Sequence, residues 1–195
     1  MNSDLETIRS TPDLLNFAMA GGRASYGDNC AGCHGSGAQG SIGYPNLNDD
    51  EWLWGGTLDE IHTTISVGIR SVHEDTRFND MPAFLRDEFL TEEEIDEVTD
   101  YVLALTDSSY SRSENGTMLF MDNCAVCHGE NAQGLKEFGA PDLTDQIWLF
   151  GQDRDAVKDV ISYSRKGVMP TWSGRLDPTT IKALAVYVHS LGGGE

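Results

Sequence analysis

Three stretches of the chain set apolar residues at helical spacing behind a polar start signal. Thr91-Glu-Glu-Glu94 forms a capping box, and Ile95, Val98, Val102 and Leu105 follow it. Thr57-Leu-Asp-Glu60 is a second box, with Ile61, Ile65 and Ile69 behind it. Asp177 then Pro178 opens a third helix, with Ile181, Leu184, Ala185, Val188 and Leu191 as its buried stripe. Two further helices carry Gly and an aromatic on one face: Gly22 with Tyr26, and Gly116 with Phe120. No alternating run is long enough to demand a sheet. The expected class is all-α and loop-rich, with Gly at 21 of 195 residues.

The same pattern occurs twice. Asp28-Asn-Cys-Ala-Gly-Cys-His-Gly35 returns as Asp122-Asn-Cys-Ala-Val-Cys-His-Gly129, an offset of 94. Pro45-Asn-Leu47 answers Pro141-Asp-Leu143, and Trp52-Leu-Trp-Gly55 answers Trp148-Leu-Phe-Gly151. Asn79-Asp-Met-Pro82 answers Gly167-Val-Met-Pro170, and Tyr101 answers Tyr187. The organisation read from this is an N-terminal segment 1–11, a first domain 12–106, a Ser-rich linker 107–112 and a second domain 113–195.

Charge narrows the partners. Acids number 32 against 13 Lys plus Arg, for a net charge of −19. That argues against nucleic acid, whose phosphates need cations, and for basic partners. Most of the charge, −15, falls in residues 1–105. The first module is therefore the expected docking side for a basic partner, with Glu92, Glu93, Glu94, Asp96, Glu97 and Asp100 as its densest block. No stretch approaches the about 20 apolar residues of a membrane span. The acidic N-terminus is not a signal peptide.

The chemistry lies in Cys30-Ala-Gly-Cys33-His34 and Cys124-Ala-Val-Cys127-His128. C-x-x-C-H is the c-type haem attachment sequence: two thiols on one turn meet the two vinyl groups, and the next residue offers its imidazole to iron. A four-cysteine zinc site usually brings its pairs closer together, and a thioredoxin motif expects a βαβ unit. Two covalent haems c are the expected cofactors. Met81 and Met169 alone recur in matching places, each before a Pro that biases it to extended backbone. They are the expected sixth ligands, although His73 competes with Met81. Met19, Met118 and Met121 are expected to pack in the core. His62 and His189 are expected to have surface or packing roles. Arg70 and Arg165 are candidates for a haem propionate, or are solvated charges. Trp52 and Trp148 are expected to wall the pockets, with indole N–H groups that reach a propionate or simply pack.

These residues resemble a known family. Each copy looks like a class I cytochrome c. The whole is similar to the dihaem subunit of cbb3-type cytochrome c oxidase, the FixP type, through Phe17-Ala-Met-Ala-Gly-Gly-Arg-Ala-Ser-Tyr-Gly-Asp-Asn-Cys30, Asp50-Glu-Trp-Leu-Trp-Gly-Gly-Thr-Leu58 and Arg165-Lys-Gly-Val-Met-Pro-Thr-Trp172. The resemblance implies tandem class I cytochrome c domains, each wrapped around one covalent haem. It implies low-spin His/Met iron, carried over as His34 with Met81 and His128 with Met169. It implies electron transfer on the periplasmic side, from a cytochrome c or the quinol-oxidising complex towards the catalytic subunit, in company with the other oxidase subunits. On this reading the chain is the soluble part of a membrane-anchored subunit and is not an enzyme on its own. The rival readings are a freely diffusing dihaem carrier of the c4 type and a dihaem peroxidase, which would need an open sixth position.

Overall fold

In the computed structural model, which describes residues 3–194, helices start where the polar signals stand. The elements are α1 (Leu5–Ser10), α2 (Pro12–Asn29), α3 (Ala31–His34), α4 (Leu58–Val67), α5 (Glu92–Leu103), α6 (Glu114–Asn123), α7 (Ala125–His128), α8 (Arg154–Tyr163) and α9 (Pro178–His189), with a single 3₁₀ turn at Lys136–Phe138. Both capping boxes close: Glu60 N–H donates to Thr57, Glu94 N–H to Thr91, and each Glu carboxylate accepts from the threonine N–H. Asp177 accepts from the N–H groups of Thr179 and Thr180. Only isolated bridges occur beside the helices among the described residues, so the all-α expectation holds. Ile69 departs from its expected stripe. Gly68, at φ +73°, ends α4, and Ile69 instead exchanges backbone hydrogen bonds with Met169 at 2.9 and 3.0 Å.

The chain divides into two compact units, and they cut across the sequence repeats. Unit 1 comprises residues 1–78 and 167–195, and unit 2 comprises 79–166. The compact units thus differ from the sequence copies at 12–106 and 113–195, and the linker 107–112 lies within unit 2. Those residues form a loop inside unit 2, where Arg112 Nη2 donates to the Ala104 carbonyl at 2.9 Å. The reason is local. A short connection favours packing of consecutive helices. So α5 closes on α6, the helix that follows it, and α9 is left to close on α2.

In unit 1, α9 packs against α2 and α4. Tyr26 and Tyr187 meet with ring centroids 5.5 Å apart. A Cβ on Gly22 would run into the Ala183 carbonyl, so only glycine permits this crossing. Ile8, Ala18, Leu184 and Ala185 are sealed from solvent in the core. Gly22→Ala should therefore strain the α2–α9 contact by about 1–3 kcal/mol, the usual cost of overpacking. The measurement is a lower denaturant midpoint at unchanged slope.

In unit 2, α5 packs against α6 and α8. Tyr101 and Phe120 lie 4.9 Å apart, and a Cβ on Gly116 would stand 2.7 Å from the Glu97 carbonyl. Arg154 of α8 reaches Asp100 and Asp96 of α5, and Lys158 also reaches Asp96. Glu97 accepts from Ser113 and Asn115. Of the acidic block on α5, Glu92 and Glu93 are thus the exposed acids without such a role. The compact units also redistribute the charge. Unit 1 holds 13 acids and 6 bases, for −7, whereas unit 2 holds 19 and 7, for −12. The stronger field belongs to unit 2, so assigning most of the charge to the first 105 residues does not describe a compact body.

Candidate haem sites

Each C-x-x-C-H sequence occupies one tight turn. α2 ends at Asn29 and α6 at Asn123; the first cysteine of each motif starts the short helix that ends at the histidine. His34 Nδ1 stands 3.0 Å from the Pro45 carbonyl, and His128 Nδ1 stands 3.1 Å from that of Pro141. A carbonyl only accepts, so Nδ1 must carry the proton in both rings. That leaves Nε2 as a lone-pair donor for iron, with its tautomer fixed by the second bond. Burial pushes both imidazoles below their usual pKa, against a smaller opposing effect of that bond. They are neutral, as a metal ligand must be. The matched prolines were visible as a repeat, but nothing in the sequence showed that their carbonyls would anchor the rings.

The thiols are held differently from those of a redox pair. Burial, then the neighbouring Cys33, raises Cys30 to about 11. Burial, then Cys127, raises Cys124 to about 12. A thioredoxin-type nucleophile needs the reverse shift. Cys33 is exposed and Cys127 half-buried, so one sulfur of each pair stays accessible.

The methionines fall on the unexpected sides. Met169 packs against the core of unit 1, which also takes in Cys30, Ala31 and Trp52. Its loop is tied by the pairing with Ile69 and by Thr171 Oγ1, which donates to the Ser66 carbonyl at 2.6 Å. Met81 packs against the core of unit 2, with Cys124, Ala125, Phe120 and Trp148. Ser164 Oγ donates to the Met81 carbonyl at 2.6 Å, and neighbouring Asp80 pairs with Lys166 at 2.7 Å. The pairs His34–Met81 and His128–Met169 would each take their members from different units. Within the units, His34 shares unit 1 with Met169, and His128 shares unit 2 with Met81.

The remaining candidates separate clearly. His73 accepts from Asp75 N–H and donates its own N–H to Ser71, so it serves its own turn. His62 is half-buried on α4, and His189 lies on α9. Arg70 Nε donates to the Gly167 carbonyl at 2.7 Å, and Arg165 Nε to Asp159 at 2.6 Å. Met19 packs against the core of unit 1 as expected. Met118 and Met121 do not, being 54% and 40% exposed. They lie one turn apart on the outer face of α6, while Gly116 and Phe120 take its inner face. Trp52 and Trp148 both pack against their cores, but Trp148 Nε1 is buried without a hydrogen-bond partner. An unpaired buried donor fits a group that brings an acceptor, as the carboxylates of a haem do.

The profile of the family described as cytochrome c oxidase, cbb3-type, subunit III, matches residues 17–102 and again 111–188. The chain belongs to this family. It is 52% identical over 197 residues to the subunit FixP of the cbb3-type oxidase of Bradyrhizobium diazoefficiens, covering 99% of this chain and 68% of that protein. It is 48% identical over 198 residues to subunit CcoP of Cereibacter sphaeroides, covering 100% and 68%. It is 49% identical over 202 residues to CcoP of Azospirillum brasilense, covering 99% and 68%. Each of the two family matches holds one C-x-x-C-H sequence, and the cofactors of this cbb3-type subunit are two haems c. Among the described residues, no helix is long and apolar enough to cross a membrane.

Proposed function

We propose that this chain relays electrons through two low-spin haems on the periplasmic side of the membrane, from a cytochrome c or the quinol-oxidising complex towards the catalytic subunit of a cbb3-type oxidase. The observation that carries the proposal is the duplicated site: a C-x-x-C-H turn with Nδ1 tied to a carbonyl, in a unit that also holds a Met-Pro loop. The ligand sets are His34 with Met169 and His128 with Met81. Cys30 and Cys33, and Cys124 and Cys127, are the points of covalent attachment. A bound haem supplies one-electron chemistry at its iron. His34 and His128 would offer Nε2 and Met169 and Met81 a thioether, a ligand type that favours reduced iron. Such a full set of protein ligands would leave no place for peroxide, which favours transfer over catalysis.

Denaturing mass spectrometry of protein made in haem-attaching cells should show the polypeptide plus two haem masses. An unmodified chain would overturn the proposal. The donor is expected to be basic. Both units are negative, and long-range attraction of this kind speeds encounter and is screened by salt. Reduction by a basic cytochrome c, followed by stopped flow, should slow steeply as ionic strength rises. A flat salt dependence would remove the basic donor. Because unit 2 carries −12 against −7, charge reversal at Glu92 and Glu93 should weaken the salt dependence more than reversal at Asp13 and Asp28.

A further inference from the structure

Trp52 and Trp148 occupy the same place in the two repeats but meet different fates. In unit 1, Trp52 Nε1–H donates to the carbonyl of Gly193. A Cβ on Gly193 would coincide with the Asp49 carbonyl, so Gly193 lies tight against the Asp49–Trp52 segment, and glycine alone fits there. In unit 2, no backbone carbonyl plays this part. Trp148 Nε1 is buried and unpaired, in the core that Met81 and Cys124 also join. Among the described residues, Asp80 Oδ1 is also buried without a partner, but it is an acceptor, and the two are not bonded to each other. A buried donor left without an acceptor forfeits its hydrogen bond to water with nothing in exchange. The cost is relieved if what unit 2 binds brings an acceptor, and the polar acceptors of a haem are its propionates.

We propose that Trp148 donates its indole N–H to a haem propionate in unit 2, and that the Gly193 carbonyl withholds the equivalent donor, Trp52, in unit 1. The proposal rests on the two-haem reading above. It makes the two sites electronically unequal. A charge-assisted bond to a propionate draws negative charge away from the iron, which favours the reduced state; hydrogen bonding and burial are established levers on haem potential. Trp148 therefore raises the potential of the haem of unit 2, whereas Trp52 leaves that of unit 1 unassisted.

The test is potentiometric titration of the intact two-haem protein and three variants. Trp148→Phe should lower one midpoint by about three- to tenfold in the one-electron equilibrium, ~28–59 mV. The affected component should be the one that Met81→Ala also lowers. Trp52→Phe, a matched loss of volume, should leave both midpoints in place. Gly193→Val should push the 192–194 segment off Trp52, free its N–H and raise the other midpoint. Equal shifts from the two Trp variants, no shift from Trp148→Phe, or no shift from Gly193→Val would each overturn the proposal. If Trp148→Phe does not fold, indole ¹⁵N spectra of the unaltered protein decide. Trp148 N–H should be protected from exchange and should follow the haem's redox state, whereas the Trp52 signal should not. A freely exchanging Trp148 N–H would overturn the proposal. The same samples distinguish this from failure of the two-haem reading, since mass spectrometry reports the attached haems whatever the midpoints do.

Discussion

Residues 79–166 made alone are expected to fold and to bind one haem c, while residues 1–106 and 107–195 made alone are not. The difference follows from which helices close on which. The fragment 79–166 keeps α5, α6 and α8 together with Met81 and the Cys124–His128 turn. It also keeps the Tyr101–Phe120 contact and the Arg154 bridge to α5. Residues 1–106 lack α9, whose Ile181, Leu184, Val186 and Val188 are buried in the core of unit 1. At about 1.5–3 kcal/mol per buried side chain, those four contribute about 6–12 kcal/mol. That is the whole stability of an ordinary domain, about 5–15 kcal/mol. Residues 107–195 lack α5 and Met81 in the same way. The check is circular dichroism and cooperative thermal unfolding of the three fragments, with haem content measured for each. A cooperative, haem-bearing fragment 1–106 would show that the sequence repeats, and not the compact units, are the folding bodies.

The second large effect concerns the axial ligands. In protein whose Cys30 and Cys33 are replaced by Ala, the haem left is the one on Cys124 and Cys127. There, Met81→Ala should abolish the thioether–iron absorption at the red end of the spectrum and lower the midpoint by a substantial part of the about 0.8 V range that axial ligands span. Met169→Ala should do neither. In the converse background, with Cys124 and Cys127 replaced, the roles should exchange. Loss of the absorption on Met169→Ala in the first background would restore the pairing of His128 with Met169 and sink the exchange.

Much of this was legible in the sequence. Capping boxes specify helix starts through a few local bonds, and Thr57, Thr91 and Asp177 each cap as their neighbours require. The C-x-x-C-H turns are also local, so their tight geometry could be expected. Which compact unit each Met-Pro loop would join could not. The two repeats are so alike that either Met-Pro loop suits either histidine, and Tyr187 matches Tyr26 as well as Tyr101 does. What breaks the tie is that α6 follows α5 after a short loop and takes its inner face, a preference of connection length that residue identity does not carry. The exposed Met118 and Met121 show the same limit. An apolar residue on an amphipathic helix reads as core, yet Gly116 and Phe120 are the residues that meet α5. The fate of the two tryptophans was equally hidden, because Gly193 lies 141 residues from Trp52.

The two crossings of the backbone, after Phe78 and after Lys166, also set an order of events during synthesis. Residues 1–78 emerge with a C-x-x-C-H turn but without α9, which packs on α2. Unit 2 is next to be complete and folds as a nested body, in keeping with the tendency of domains to fold as units during synthesis. Once folded, it holds residues 79 and 166 in fixed places, so the final segment does not close a floppy loop of this length, a closure whose cost grows only slowly with length in any case. Cys30 and Cys33 thus spend longer in an unfinished pocket than Cys124 and Cys127 do. The Cys30–His34 turn is accordingly most accessible in the interval before residue 167 appears. A pulse-labelled time course of haem attachment should accordingly find the first site open until α9 arrives.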